Sequence, residues 1–232
     1  MPQLSVVMPA HDEAQTVAQA VCEWTSELDR LGIDYVLTVY DDGSRDGTGD
    51  AVRAVATGHG RVRLACHANV GHGPTIMRGY RDADGEWVLQ VDSDREMRPD
   101  GFEQLWRRRD GYDLLIGRRV NRSAPPGRLF VTWMARLVVR VLFGGRIRDV
   151  NAPYRLVRRT ALSRLLPRMP GTAFAPNAII SGLAVRDGLR IGEWPVEYHA
   201  RRGGVSFLTS AGALRVSWRC VREAASVRLR DR

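Results

Sequence analysis

The sequence predicts an α/β fold built on a mainly parallel sheet with helices on both faces. Short runs rich in Val, Leu and Tyr recur along the first half of the chain, and a segment with helical periodicity follows each run. At 232 residues with 44% hydrophobic composition, the chain is long enough for one sizeable core. We therefore expect a single domain over residues 1–232.

Strands and helices alternate in the first half of the chain. The predicted strands cover residues 4–9, 34–40, 61–67, 86–92 and 112–117, and the predicted helices cover 13–31, 46–58, 74–84 and 99–109. Pro74 and Pro99 suit the first turns of their helices. After residue 117 the alternation stops. An amphipathic helix over 128–145, a second helix, an apolar segment over 177–188, a strand over 189–198 and a basic helix from about residue 212 are expected to cap the sheet.

Charge is divided unevenly along the chain. All 35 basic residues are arginine; residues 1–112 hold 12 of them against 19 acidic residues, and residues 113–232 hold 23 against 7. An acidic front half and a basic back half suit a protein that binds a metal on one side and anions on the other. The sequence shows no recognised nucleic-acid-binding motif among these arginines, so we expect no nucleic-acid partner.

The cysteines and the apolar runs indicate the compartment. Cys22, Cys66 and Cys220 are odd in number, far apart and without a CxxC pair, which favours neither a disulfide framework nor a zinc site. The N-terminus does not resemble a leader peptide, and no run approaches the roughly 18 apolar residues of a membrane span. We therefore expect a cytoplasmic protein.

Acidic residues follow three of the predicted strands at the points where the strands end. The first strand runs into Pro9–Glu13, the second into Asp41–Ser44 and the fourth into Asp92–Asp94. In open parallel sheets, ligands bind at this carboxyl edge. Asp92 and Asp94 flank one serine, and two carboxylates at about 4 Å repel each other by about 4 kcal/mol at an effective dielectric near 20. A hard divalent ion, Mg²⁺ or Mn²⁺, removes this repulsion, so the pattern predicts a metal site that also receives substrate phosphates.

Two alternative interpretations of these loops stand beside the metal site. A lone aspartate after a strand, such as Asp12 or Asp46, is typical of a helix N-cap. Gly71 and Gly73 follow a strand as in a dinucleotide-binding fold, but Ile76 stands at the place of the third glycine and the first turn has no glycine. The residues therefore favour the metal site over a dinucleotide site.

Seven segments, taken in order, resemble glycosyltransferase family 2 with the GT-A fold, in its dolichyl-phosphate mannose synthase and polyprenyl-phosphate sugar transferase branch. The segments are SVVMPAHDEA, VYDDGSRDGT, NVGHGPTIMRGY, QVDSDREMRPD, LLIGRRV, DVNAPYRLVRR and RRGGVS. The resemblance implies a Rossmann-like sheet flanked by helices, with residues 1–117 as the half that binds nucleotide sugar and metal. Residues 118–232 would then form the acceptor-side half, which ends in the basic helix.

The resemblance also implies the residues of the site. Donor contacts fall on Pro9, Ala10, Asp12, Glu13, Asp41, Asp42, Gly71, His72, Asp92 and Ser93, and metal ligands on Asp92, Asp94 and Glu96, the last standing where the family often has glutamine. Arg119, Arg155 and Arg201 match arginines suited to gripping an acceptor phosphate. Asp149 matches a carboxylate able to take a proton from a neutral hydroxyl.

The activity so implied is the inverting transfer of a hexosyl or N-acetylhexosaminyl group from a UDP- or GDP-linked donor to a polyprenyl phosphate. The alternatives are a soluble acceptor, such as a natural-product or nucleoside hydroxyl, and a non-catalytic protein that binds sugar nucleotides. Many relatives continue into C-terminal membrane helices, whereas this chain ends at Arg232, which motivates the soluble acceptor. The helix at 128–145 and the basic tail suit peripheral contact with an anionic membrane, at the inner face of the cell membrane.

Overall fold

Seven strands form one sheet in the computed structural model, which describes residues 1–121, 126–145, 147–199 and 210–230. The strands are β1 (Leu4–Ala10), β2 (Tyr35–Asp42), β3 (Val62–His67), β4 (Trp87–Gln90), β5 (Leu114–Val120), β6 (Arg155–Arg158) and β7 (Ile191–Glu197). Their order across the sheet is β3-β2-β1-β4-β6-β5-β7. Neighbouring strands are parallel except at β6, which runs antiparallel to β4 and β5. The predicted mainly parallel α/β sheet is therefore confirmed.

Helices cover the two faces of the sheet. Within the described residues they are α1 (Val17–Arg30), α2 (Thr48–Gly58), α3 (His72–Asp82), α4 (Phe102–Arg108), α5 (Pro126–Phe143), α6 (Arg159–Leu165), α7 (Pro176–Arg186) and α8 (Ser210–Arg230). The first four follow β1 to β4 in alternation, as the sequence predicts. α3 begins at His72, two residues before Pro74, so the start of this helix reaches closer to the sheet edge than predicted.

The core lies in two layers, one on each face of the sheet. Successive residues of β1 point to opposite faces, so Val7 packs in the layer with α3, α5, α6 and α7, whereas Val6 packs in the layer with α1, α2 and α4. Trp24 of α1 is 1% exposed. Its ring lies 5.5 Å from the ring of Phe102 and 5.3 Å from the ring of Tyr154. This aromatic group joins α1 and α4 to the segment that leads into β6.

β6 is a strand that the sequence pattern does not reveal. Two of its four residues are arginines, and a strand with a buried Arg155 does not show the usual alternation. It forms because Leu156 is buried opposite Leu89 of β4 and Leu115 of β5. β6 therefore separates β4 from β5, and residue 117, the predicted boundary between the two halves, falls inside β5.

The strand order reverses between β1 and β4. β2 and β3 lie on one side of β1, whereas β4 lies on the other side. Such a reversal leaves a crevice at the carboxyl ends of the strands, where ligands bind in open α/β sheets. β1 ends at Ala10 and β4 ends at Gln90, just before Asp92. The fold thus positions the predicted metal segment at this crevice.

α5 and α8 pack against each other and carry most of the exposed large hydrophobic side chains of the described residues. These side chains are Phe130, Trp133, Leu137 and Val141 on α5 and Trp218 and Leu229 on α8. The four on α5 are three or four residues apart, so they form one ridge along the helix, called the α5 ridge below. None of the helices in the described parts of the chain has the length and hydropathy that a bilayer crossing requires.

Trp24→Ala is expected to lower the free energy of unfolding by about 3–5 kcal/mol, because it leaves a cavity between α1, α4 and the sheet. Urea unfolding followed by circular dichroism measures the change. Trp218→Ala is the matched control, since Trp218 is 66% exposed, and it is expected to change the free energy by only about 0.5 kcal/mol. Equal losses in the two variants would contradict the central place of Trp24 in the core.

Candidate active site

The loops after β1 and β2 are joined by hydrogen bonds at the rim of the crevice. The Asp12 amide donates to the Ser44 hydroxyl at 3.0 Å, and the Asp12 carboxylate accepts from the Arg45 amide at 2.9 Å. The Glu13 amide donates to the Thr48 hydroxyl at 2.8 Å. These bonds hold Asp12 in a left-handed backbone conformation with φ of 50°. Asp12 and Glu13, two predicted donor contacts, therefore brace the two loops against each other.

Asp41 and Asp42, at the end of β2, are buried and hold the neighbouring loops. The Asp42 carboxylate accepts hydrogen bonds from the backbone amides of Val70 at 2.7 Å and Gly71 at 2.9 Å. The Asp41 carboxylate accepts from the Ser44 amide at 2.9 Å. Gly71 has a φ of +96°, a conformation that favours glycine. Asp42 thus fixes the loop that precedes α3, and Asp41 fixes the turn that follows β2.

Pro9, Ala10 and Ser93 lie where the ends of β1 and β4 meet. All three are buried, and the Ser93 hydroxyl donates to the Pro9 carbonyl at 3.1 Å. This bond ties the DSD turn to the end of β1. Because the central serine is held inward, the flanking Asp92 and Asp94 are left to line the crevice.

A cavity of about 440 Å³ opens at this place. Asp92, Asp94, Glu96 and Arg119 line one part of it, and the start of α3, the segment before α7, α5 and α8 line the rest. Lining residues from these elements include Gly71, His72, Ala135, Phe174, Val216 and Arg219. The cavity therefore joins the acidic front half of the chain to its basic back half.

Asp92 and Asp94 carry their charges in an unfavourable environment. Asp92 accepts a hydrogen bond from the Gln90 side chain at 3.0 Å and lies 3.7 Å from the His72 imidazole. Asp94 accepts from the Glu96 backbone amide at 2.9 Å. Burial raises the pKa of Asp92, and burial together with repulsion from Asp92 and Glu96 raises the pKa of Asp94. Such a carboxylate pair fits a hard divalent cation, which binds oxygen ligands and favours their ionised forms.

The described residues contain no group of three His, Cys, Asp or Glu side chains arranged as a complete metal site. Asp92, Asp94 and Glu96 therefore do not form a closed cage around a cation. An incomplete set suits Mg²⁺, which commonly binds through one or two carboxylates and keeps water and substrate phosphates as its other ligands. The assignment of Glu96 as a third ligand stays a prediction.

Arg119 and Asp149 form a bidentate ion pair. The Arg119 Nε and Nη2 atoms lie 2.8 Å from the Asp149 Oδ2 and Oδ1 atoms, respectively. Burial opposes the charge on Arg119, but its bonds to Asp149 and the field of that carboxylate outweigh burial and raise the pKa of Arg119. Arg119 lines the cavity, whereas Asp149 is 3% exposed and lies behind it. The structure thus gives Asp149 the position of a group that orients Arg119, not that of a base open to a substrate hydroxyl.

Arg155 lies away from the cavity, in contrast to the predicted contact with a phosphate. It is fully buried and donates to the Ala152 carbonyl at 2.8 Å, to the Ser181 hydroxyl at 3.0 Å and to the Val150 carbonyl. Burial lowers its pKa to about 10. These contacts hold the segment that leads into β6 against α7, so Arg155 supports the framework of the site. Arg201, the remaining predicted arginine, falls outside the described residues.

A buried chain of hydrogen bonds reaches Asp92 from α3 and α7, and the sequence analysis missed it. The Tyr80 hydroxyl donates to Asn177 Oδ1 at 3.1 Å, Asn177 Nδ2 donates to Gln90 Oε1 at 2.8 Å, and Gln90 Nε2 donates to Asp92. Gln90 and Asn177 are both buried. The available signal was a polar residue inside the apolar run WVLQV and another at the start of the apolar run NAIISGLAV.

The sheet with this crevice at its strand-order reversal is that of a glycosyltransferase. The profile of glycosyl transferase family 2 matches residues 5–166, and the chain belongs to this family. Two curated relatives are undecaprenyl-phosphate 4-deoxy-4-formamido-L-arabinose transferases, from Pseudomonas fluorescens (26% identical over 176 residues) and Aeromonas hydrophila subsp. hydrophila (27% identical over 176 residues). Each match covers 75% of this chain and 52% or 54% of the relative, so the chain spans about half the length of the curated relatives it matches.

Solved structures show the same fold. Glucosyl-3-phosphoglycerate synthase from Mycobacterium tuberculosis in complex with Mn²⁺ and UDP-glucose superposes with a TM-score of 0.70 and 18% identity, covering 97% of this chain and 79% of that one. Mannosyl-3-phosphoglycerate synthase from Rubrobacter xylanophilus superposes with a TM-score of 0.72 and 18% identity, covering 99% of this chain and 75% of that one. The chain therefore has the GT-A fold that its sequence segments imply.

Asp94→Asn is expected to stabilise the protein when no divalent ion is added. The folded-state pKa of Asp94 is raised to about 7, so the folded protein binds a proton more tightly than the unfolded chain, whose aspartates titrate near pH 3.9. The free energy of unfolding of the wild type therefore falls as pH rises between these two values. The variant has no carboxyl group at this position, so its free energy of unfolding does not fall for this reason. In EDTA, we expect its Tm to exceed that of the wild type at pH 8, by roughly 2–4 °C for each kcal/mol gained.

The advantage of Asp94→Asn should shrink as pH falls from 8 towards 5 in the same buffer series. Asp34→Asn is the control, because Asp34 is exposed and its substitution removes the same charge. A Tm for Asp94→Asn below that of the wild type at pH 8 would contradict the unfavourable charge assigned to Asp94.

Proposed function

We propose that this protein is an inverting, metal-dependent glycosyltransferase that moves a sugar from a nucleotide diphosphate to a polyprenyl phosphate. The observation that carries the proposal is the pair Asp92 and Asp94, whose half-buried carboxylates line a cavity shared with Arg119 at the strand-order reversal. Carboxylates so placed are stabilised when a divalent cation and a diphosphate bind beside them. Membership of glycosyl transferase family 2 supports the same reaction class.

Asp94 and Asp92 would hold Mg²⁺ or Mn²⁺, with Glu96 near enough in sequence to contribute. When bound, the ion neutralises the charge that develops on the departing diphosphate. The M. tuberculosis neighbour was crystallised with Mn²⁺ and UDP-glucose, which supports this pairing of ion and donor. His72, at the start of α3 and 3.7 Å from Asp92, is suited to contact the same phosphates.

The loops at the ends of β1 and β2 would bind the nucleoside of the donor. Asp12, Glu13, Asp41 and Asp42 brace these loops, and Pro9 with Ala10 forms their base. A UDP-linked hexose is the donor that the M. tuberculosis neighbour supports, and a GDP-linked donor remains its competitor. The proposed hexosyl or N-acetylhexosaminyl group would then face the carboxylates.

The acceptor oxygen would attack the anomeric carbon while the bond from that carbon to the diphosphate breaks, which inverts the configuration. A phosphate oxygen is already anionic at neutral pH, so this step needs no strong base. The site agrees with a step that needs no base, because the Asp149 carboxylate is already paired with Arg119. Arg119 is suited to orient phosphate groups in the cavity. The curated relatives, named as undecaprenyl-phosphate transferases, support a lipid phosphate acceptor.

A soluble phosphorylated acceptor is the second candidate. The solved neighbours are named as a glucosyl-3-phosphoglycerate synthase and a mannosyl-3-phosphoglycerate synthase, and the first was crystallised with phosphoglyceric acid. This candidate keeps the donor site and the role of Arg119 unchanged. It differs from the first in the group attached to the acceptor phosphate, which is short and polar instead of a long apolar chain.

Peripheral contact with an anionic membrane, at the inner face of the cell membrane, is part of the proposal. The α5 ridge exposes Trp133 and Val141 by 55% and 71% of their surface. Arg136 and Arg140 are exposed on the same helix, and Arg222 is exposed on the adjacent α8. An apolar ridge flanked by arginines is typical of helices that lie in the headgroup region of anionic bilayers.

The donor site is tested by thermal shift with UDP, GDP, dTDP and CDP, each with and without Mn²⁺. A ligand at 100 times its Kd stabilises the folded state by about 2.7 kcal/mol. We expect one nucleotide to stabilise the protein more strongly with Mn²⁺ than alone, and Asp94→Ala to abolish the metal-dependent part. Asp34→Ala is the control, because Asp34 is an exposed carboxylate that does not line the cavity, and this variant should behave as the wild type does. Equal stabilisation in the wild type and Asp94→Ala would count against the site, and binding without sugar transfer or donor hydrolysis would indicate a non-catalytic binding protein.

Membrane contact is tested by sedimentation with vesicles of phosphatidylcholine, with or without phosphatidylglycerol. The wild type is expected to bind the mixed vesicles, and Trp133→Glu to weaken that binding about tenfold, because a large apolar group no longer enters the headgroup region. Thr57→Glu adds the same charge to an exposed position of α2 and should bind as the wild type does. Failure of the wild type to bind mixed vesicles would remove this part of the proposal.

A further inference from the structure

Arg219 of α8 lies between two cavities. It lines the cavity that contains Asp92 and Asp94, and it also lines a second, more open cavity of about 670 Å³ beside α8. The second cavity is basic, with Arg168, Arg222 and Arg230 in its wall. An anion that approaches along α8 therefore meets Arg219 where this basic surface adjoins the carboxylate site.

The guanidinium of Arg219 is held in a way that leaves its hydrogen-bond donors available. Its central carbon lies 4.3 Å from the centre of the Phe174 ring, a cation–π contact, and no acceptor among the described residues takes a hydrogen bond from its N–H groups. Arg119, the other arginine that lines this cavity, donates hydrogen bonds from its Nε and Nη2 atoms to the Asp149 carboxylate. Within the described residues Arg219 has this ring contact and no ion pair.

The segment that carries the Phe174 ring is held in place by the same helix, α8. The Glu223 carboxylate, one turn further along α8, accepts hydrogen bonds from the backbone amides of Phe174 at 2.9 Å and Ala175 at 3.1 Å. One turn of α8 therefore supplies both the arginine and the carboxylate that holds the Phe174 backbone, which keeps the ring and the guanidinium together beside the cavity. A planar, preorganised arginine is the side chain best suited to a phosphate group.

We propose that Arg219 binds the phosphate of the acceptor and directs it into the carboxylate cavity; this inference rests on the proposed function. The ligand class follows from the walls beside Arg219. Ala135 and Val216 make the adjoining wall of the cavity apolar. The α5 ridge lies on a helix that packs against α8. A phosphate monoester on an apolar chain satisfies both the charge of Arg219 and the apolar wall, whereas a short soluble phosphate ester satisfies only the first.

The inference is tested by calorimetric binding in the presence of UDP and Mn²⁺, with farnesyl phosphate, farnesol and glycerol 3-phosphate as probes. Arg219→Gln is expected to weaken farnesyl phosphate binding about tenfold or more, since it removes a charge-assisted hydrogen bond. Farnesol binding should not change, and Arg219→Lys should restore part of the affinity. Arg215→Gln is the matched control, because Arg215 is exposed one turn earlier on α8 and lines neither cavity.

Each outcome of this experiment decides one question. Loss confined to farnesyl phosphate supports a lipid phosphate, and the same loss seen only with glycerol 3-phosphate supports a soluble phosphate ester at Arg219. Affinity within about twofold of the wild type in Arg219→Gln, or an equal loss in Arg215→Gln, would overturn the inference. Wild-type protein that binds UDP with Mn²⁺ but neither phosphate probe would also overturn it and leave the proposed donor site standing. Absence of nucleotide binding would instead reject the proposed function itself.

Discussion

The close placement of two half-buried carboxylates after β4 is the constraint on which the rest of the site depends. Asp92 and Asp94 are kept on one turn because Ser93 is bonded inward to the end of β1. The buried chain through Gln90 and Asn177 fixes Asp92 from the other side of the sheet. Turning Asp92 towards solvent would break this chain of hydrogen bonds, so the repulsion is not relieved without a cost. In the proposed function a divalent cation would relieve it, and the metal-bound protein would be more stable than the metal-free protein.

The neighbouring ion pair follows from the same constraint. If Arg119 had no partner, its guanidinium could bind Asp92 or Asp94 and compete with a metal there. The Asp149 carboxylate accepts hydrogen bonds from Arg119 Nε and Nη2 and holds the arginine side chain at the cavity wall. Arg119 still lowers the electrostatic cost of ionising Asp92 through its field. The buried pair therefore supplies positive potential to the cavity without closing it.

The parts of the fold that depend on local pattern could be predicted from the sequence, and those that depend on tertiary contacts could not. The alternation of β1 to α4 follows from apolar runs and helical periodicity, and the acidic strand ends follow from that order. β6 was missed because its alternation is broken by Arg155, whose hydrogen-bond donors are satisfied by backbone carbonyls and by the Ser181 hydroxyl of α7. The motif position of Arg155 predicted a contact with the acceptor phosphate, because its buried partners are not visible in the sequence. Only the contacts distinguish an arginine that supports the framework from one, such as Arg219, that lines the cavity.

The segment before α7 joins the start of α3 to α8, and close packing there ties the two helices together. A Cβ atom at Gly73 would lie 2.2 Å from the Ala173 carbonyl oxygen, so the start of α3 and this segment touch backbone to backbone. On its other side the segment is held by the Glu223 carboxylate of α8. A shift of α8 that moved Phe174 would therefore press on the start of α3, which carries His72, because no side chain lies between to absorb it. The α3 and α8 walls of the cavity are thus parts of one rigid unit, which is how an acidic half and a basic half of the chain can share one cavity.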